Sequence, residues 1–298
     1  MAETFPYFGQ MLALLTAVIW ALAVILFKKS GETYHPLGLN IFKNVLAAAL
    51  FLPTMWLLGE RLIRPVPLED YLLLMLSGVL GIGIGDTFFF KSLNRMGAGI
   101  SAIVVCLYSP FIIGLSMLCL GERLSPLQGI GALIILSAVL LTSRFHRTEN
   151  IARGDLLWGI LWGVLSTAAT AIGIVMIKPL LNRSPLLWSL QIRLFGGLAS
   201  LLLIAALFPA GRRSLATLSG AQGRGYMIGG AFVGTYLAML IWLAGMKFTQ
   251  ASIAAALNQT STIFVFIFAA LLLHEPITAR RTTAIGLAFS GAILMFFG

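Results

Sequence analysis

Long apolar runs separated by short polar clusters fill the chain from about residue 10 to its end. Within each run the residues stay apolar instead of alternating with polar ones, which predicts helices and argues against barrel strands. A helix crossing the hydrocarbon takes about 20 residues. On that scale ten spans are expected, at about 10–27, 36–58, 70–92, 97–119, 125–143, 154–180, 184–208, 225–247, 250–273 and 278–297. The longest connections, 59–69, 144–153 and 209–224, are too short for a folded domain. The opening MAETFPYFGQ has no Lys or Arg ahead of the first run, so that run reads as a retained helix and not as a signal peptide.

The pattern repeats. A shift of 153 lays LGERLSPLQGIGALIILSAVLL over LHEPITARRTTAIGLAFSGAILM, so that Glu122 meets Glu275, Ser125 meets Thr278 and Ser137 meets Ser290. The same shift pairs Gly81 with Gly234 and MGAGISAIV with TQASIAAAL; a slightly smaller one pairs His35-Pro36-Leu37 with Ser184-Pro185-Leu186. The expected organisation is a first five-helix half over 1–143, a connection over 144–153 and a second half over 154–298. An odd number of crossings turns the second half upside down relative to the first, the inverted-repeat plan of many secondary transporters.

Composition removes the other classes. Of 298 residues 59% are hydrophobic and 10% charged, at a mean hydropathy of +0.98, whereas a soluble domain is about a quarter charged. The fold class is therefore all-α integral membrane, and the lipid bilayer is an obligatory partner. A net charge of +10 in such a chain reflects loop anchoring and not nucleic-acid binding. Cys106 and Cys119 lie on one expected helix about 20 Å apart, too far to bridge. His35, His146 and His274 fall at loops or span ends, His274-Glu275 lacks the second His of a zincin, and no Gly-x-Ser-x-Gly elbow occurs. No enzyme, metal site or cofactor is expected.

The segments GDTFFFKSLNRMGAGISAI at 85–103, SPFIIGLSMLCLGERLSPLQGIGALIILSAVLL at 109–141 and LLLHEPITARRTTAIGLAFSGAIL in the second half resemble the EamA-type family of the drug/metabolite transporter superfamily. The resemblance covers essentially the whole chain. It extends to the Pro36–Lys43 and Pro185–Arg193 segments, like the family's Pro-then-basic helix openings, the second being one residue longer. It implies a ten-helix carrier in the cell (inner or plasma) membrane, often exporting amino acids or related metabolites, with both termini cytoplasmic. The loop charges point the other way: the terminal face carries Arg61, Arg64, Arg123, Arg183 and Lys247, against eleven Lys and Arg opposite. We take the family's orientation, because the tally depends on span boundaries.

A charge at bilayer depth generally faces protein or water and finds a partner. Asp86 lies about seven residues inside the far end of the third span, and Lys43 seven residues after Pro36, where the second span enters from that same side. At 1.5 Å per residue both sit roughly 10 Å deep. An interhelical pair is expected, serving either a proton or substrate amine or a static lock. Arg193 in the seventh span and Asn258 and Gln259 in the ninth match in depth from the opposite face. Gln191 and Arg193 are candidates for a carboxylate, with the amides as ligands or interhelical glue. Together these residues suit a zwitterion. Trp20 and Tyr108 fall mid-span, for stacking on a small-molecule substrate or for packing. Pro110 predicts a kink, and Lys91 is expected to snorkel. Gly81 and Gly85, like Gly230 and Gly234, have the spacing for close helix approach. The fifth and tenth spans, with Ala284, Ala288 and Ala292 four apart, read as scaffold or subunit contact, leaving monomer and homodimer both open. A sensor or assembly subunit on a carrier fold, and a facilitator or exchanger for nucleobases or drugs, remain rival readings.

Overall fold

The computed structural model describes residues 7–31, 33–89, 91–92, 95, 104–142, 153–220, 222–273 and 279–298. Helices account for almost all of them, and no strand occurs among the described residues. His274, Glu275 and most of the 144–153 connection lie outside this set, as does the start of the expected fourth span.

In chain order the helices are α1 (Phe8–Gly31), α2 (Pro36–Leu57), α3 (Leu68–Gly78), α4 (Tyr108–Leu120), α5 (Pro126–Thr142), α6 (Arg153–Val175) and α7 (Lys178–Arg183). They continue as α8 (Leu186–Leu207), α9 (Pro209–Ala216), α10 (Arg224–Gly230), α11 (Met239–Phe248), α12 (Ala251–Asn258), α13 (Ser261–Leu273) and α14 (Ala279–Phe297). Wider π-helical turns join α3 to Asp86, over Val79–Gly85, and α10 to α11, over Ala231–Ala238. Among the described residues six stretches are long and apolar enough to cross a membrane: Phe8–Gly31, Leu37–Leu57, Leu68–Phe89, Gly154–Arg183, Leu186–Leu207 and Arg224–Phe248. Tyr108–Leu120, Pro126–Ala138 and Ile285–Phe297 are shorter apolar helices.

Local chemistry explains the starts. Pro36 opens α2 where its missing N–H costs nothing, and the His35 Nδ1 accepts from the Leu37 N–H at 3.3 Å. Two helices are begun by acids from distant loops, as their positive N-terminal ends favour. The Glu60 carboxylate accepts from the Trp188 N–H at 3.1 Å on α8. Glu122 accepts from the Ala251 N–H at 2.8 Å and from the Ser252 N–H and hydroxyl at 3.0 and 2.6 Å on α12.

The core runs along α8, which is buried on every side from Leu187 to Leu194. Glycines let its neighbours close in, as the small-residue spacing predicted. Gly78 and Gly83 of the α3 segment face Arg193, Gly197 and Ser200, and Gly85 faces Ser166 and Thr170 of α6. Gly230 and Gly234 seat Phe27 and Ala23 of α1. The expected scaffold helices α5 and α14 are pressed backbone to backbone: a Cβ on Gly131 would lie 2.8 Å from the Gly291 carbonyl, and the converse distance is also 2.8 Å.

Candidate functional site

The π-helical turns of the α3 segment end at Asp86, and the Lys43 Nζ meets its Oδ2 at 3.3 Å. Both side chains are partly buried, at 14% exposure for Lys43 and 32% for Asp86. The pair read from equal depths is formed. Its burial is what requires it, since either charge alone in this setting would be uncompensated.

Arg193 reaches the same segment from α8. It is 3% exposed. Its Nε donates to the Ser77 Oγ at 3.0 Å, and Ser77 in turn donates to the Gly173 carbonyl on α6. The guanidinium carbon lies 5.5 Å from the Trp242 ring of α11, a cation–π distance. Its Nη2 occupies the space left by Gly81, where a Cβ would stand 2.8 Å away. Gly81 is five residues before Asp86, hence about 7 Å along the helix. Sequence reading placed these charges near opposite faces; α3 gathers them into one cluster of two cations and one acid.

Register on α8 is set by the cap. Pro36 is the first helical residue of α2, whereas Pro185 is the residue before α8 begins. Lys43 and Arg193 are consequently both the eighth residue of a 22-residue helix. The extra residue is absorbed outside the helix.

Gln191 does not join Arg193. Two positions apart on an α-helix is about 200° around the axis, and neither amide atom of Gln191, which is fully buried, has a partner among the described residues. Asn258 Oδ1 and the hydroxyls of Ser109, Ser116 and Thr235 are also buried and unpartnered there. Such groups are costly in a dry core.

Two helix breaks meet nearby. Pro110 has no N–H for the Cys106 carbonyl four residues earlier, and the backbone turns at Cys106–Leu107 before α4 begins. That carbonyl accepts from the Gln259 Nε2 at 3.2 Å, and Gln259 sits in the break between α12 and α13. The expected kink is thus a break, spanned by a side-chain amide. Trp20 stays 36% exposed on α1, with no ring contact among the described residues. Lys91 is exposed and lies 4.7 Å from the Trp162 ring and 5.6 Å from the Phe88 ring.

Several participants were not foreseen. Trp242, in the apolar stretch IWLAG, carries no signal separating it from ordinary packing. The Thr54 and Tyr236 hydroxyls lie 2.7 Å apart between α2 and the π-helical turns after α10, with the Phe51 ring tilted against Tyr236 at 4.7 Å between centroids. Lys178 did leave a signal, a Lys-Pro inside an apolar run. It is 7% exposed and donates to the carbonyls of Met246 and, at 2.6 Å, Thr249. With Glu122, Asn182, Lys247 and Gln250 it lines an open cavity of about 440 Å³. Among the described residues no group of three or more His, Cys, Asp or Glu is gathered as a metal would require.

Comparison with known proteins gives one family. The EamA-like transporter family matches residues 7–144 and 157–297. An uncharacterised transporter of Archaeoglobus fulgidus is 24% identical over 285 residues, covering 96% of each chain. The uncharacterised inner membrane transporter YhbE of Escherichia coli (strain K12) is 27% identical over 179 residues, 59% of this chain and 55% of that one. A crystal structure with a TM-score of 0.80 at 15% identity spans 97% of this chain and 96% of its own, a likeness of fold.

Proposed function

The chain belongs to the EamA-like transporter family of membrane transporters, and from that premise we propose that it is a multi-pass secondary carrier for amino acids or related small metabolites. Two five-helix halves of opposite orientation, ten crossings in all, alternate to open the site between α3, α8 and α11 to either side. Export across the inner membrane, with both termini cytoplasmic, is the direction and place we propose. The observation that carries this reading is the charged cluster itself. Lys43, Asp86 and Arg193 lie inside the helical bundle, at depths where a charge without purpose is costly and rare.

The repeat supports the mechanism. The family profile falls on the two halves in tandem, and the π-helical turns begin 152 residues apart, at Val79 and Ala231 (231 minus 79). Such turns are weak points in a helix and cluster at functional sites, so each half carries a place to bend, the first of them ending at Asp86.

Purified protein in sealed liposomes loaded with a mixed metabolite extract tests the proposal. Under an imposed pH gradient, mass spectrometry is expected to show selective loss of one class of small metabolite, abolished by Asp86→Asn. Equal retention of every solute by vesicles containing folded protein overturns it.

A further inference from the structure

The two halves treat their buried cations differently. In the first, Lys43 is held by Asp86 at 3.3 Å. In the second, Arg193 occupies the same helical position as Lys43. The 153-residue shift, applied to Asp86, lands on Met239 (86 plus 153), the first residue of α11. The acid that would neutralise Arg193 by symmetry is therefore absent, and no carboxylate lies within salt-bridge distance of it among the described residues. Its polar contact there is the Ser77 hydroxyl on Nε. A guanidinium has five N–H donors in a planar fork suited to a carboxylate. Those on its terminal nitrogens meet no acceptor among the described residues, although the side chain is 97% buried by the 3% exposure it retains.

Neutral neighbours do not make up the difference. Trp242 contributes the face of a ring at 5.5 Å. Asp86 already has Lys43. The cluster thus sums to one positive charge, from Lys43 and Arg193 against Asp86. A buried cation in that state is a strong attractor for an anion that brings its own acceptors.

Resting on the carrier reading, we infer that the substrate supplies the missing acid: a carboxylate bound by the Arg193 fork is the recognised group, standing where Asp86 stands for Lys43. The site accordingly takes small organic acids, amino acids among them, and requires the carboxylate but not the amine. The body of the acid lies against Trp242, so apolar or aromatic acids fit best.

The test uses the full-length purified chain and the probes 3-phenylpropionate, phenylalanine, phenylalaninamide and phenethylamine, read by thermal unfolding and tryptophan fluorescence. The two acids are expected to raise Tm by about 3 °C at tenfold over Kd, and the amide and amine to leave it unchanged. Arg193→Gln is expected to weaken both acids by at least about tenfold. Met239→Glu keeps Arg193 and adds the acid one turn before Trp242, on the same helix face. It is expected to fold, to pair with Arg193 and to abolish protection by the acids. Protection by the amide or amine equal to that by the acids, no protection by any acid, or unchanged acid binding in folded Met239→Glu overturns the inference. The carrier reading is judged separately: acids that bind but cross no membrane defeat transport and leave the anion site standing, whereas selective movement of amines alone does the reverse.

Discussion

The Gln259 side-chain amide donates to the Cys106 carbonyl at 3.2 Å, and the two residues are 153 positions apart, the same interval that aligns the two halves of the sequence. The break before α4 and the break between α12 and α13 therefore meet. The contact arises because Pro110 cannot serve the Cys106 carbonyl.

That cause predicts a rescue. Gln259→Leu removes the donor from a buried carbonyl and is expected to cost about 1–2 kcal/mol. Pro110→Ala restores a backbone N–H to the same carbonyl, so the double variant should recover most of the loss in detergent thermal unfolding. Additive destabilisation would show that the amide acts elsewhere.

Asp86→Asn leaves Lys43 without its acid. Asp86 is one-third exposed, so the cost should fall between the ~1 kcal/mol of an exposed pair and the ~3 kcal/mol of a dry one. Lys43→Met added to Asp86→Asn is expected to restore stability but not transport. A double variant that carries substrate normally would reduce the pair to a lock between α2 and α3.

Gly81 and Gly78 separate site from scaffold. At Gly81 a Cβ meets the free end of the Arg193 side chain at 2.8 Å, which can yield. Gly81→Ala should therefore fold with little change in Tm and lose about tenfold in binding of carboxylates, since the displaced fork forfeits about 1.4 kcal/mol or more of its bond. At Gly78 the Cβ meets the backbone of Arg193 and Gly197, which cannot yield. Gly78→Ala is expected to cost roughly 1–3 kcal/mol in overpacking, visible as a lower Tm in the absence of any ligand.

Glu122 holds α12 from the loop after α4. Glu122→Ala frees the N–H groups of Ala251 and Ser252 and should cost about 1–2 kcal/mol, as lost helix caps do. Amide exchange at these two residues is expected to accelerate well ahead of exchange in α8. Unchanged exchange there would mean another group replaces the carboxylate.

Depth is the coordinate that sequence records well. Helical rise is constant, so counting from the span ends is enough to place Lys43 beside Asp86. The apolar runs likewise pointed to an all-helical membrane protein, and the 153-residue echo runs parallel to the two stretches that the family profile matches. Even the break near Pro110 was legible, because the missing donor is a property of one residue. Direction around each helix axis is different, since it depends on which neighbours pack on which face. In this chain α8 is buried all round from Leu187 to Leu194, which leaves no polar stripe to read around Arg193. Only the tertiary structure turned Arg193 toward Ser77, Gly81 and Trp242 and separated it from Gln191. Only the tertiary structure, too, left that guanidinium without a carboxylate at salt-bridge distance among the described residues, because a missing partner is a property of an arrangement and no single residue encodes it.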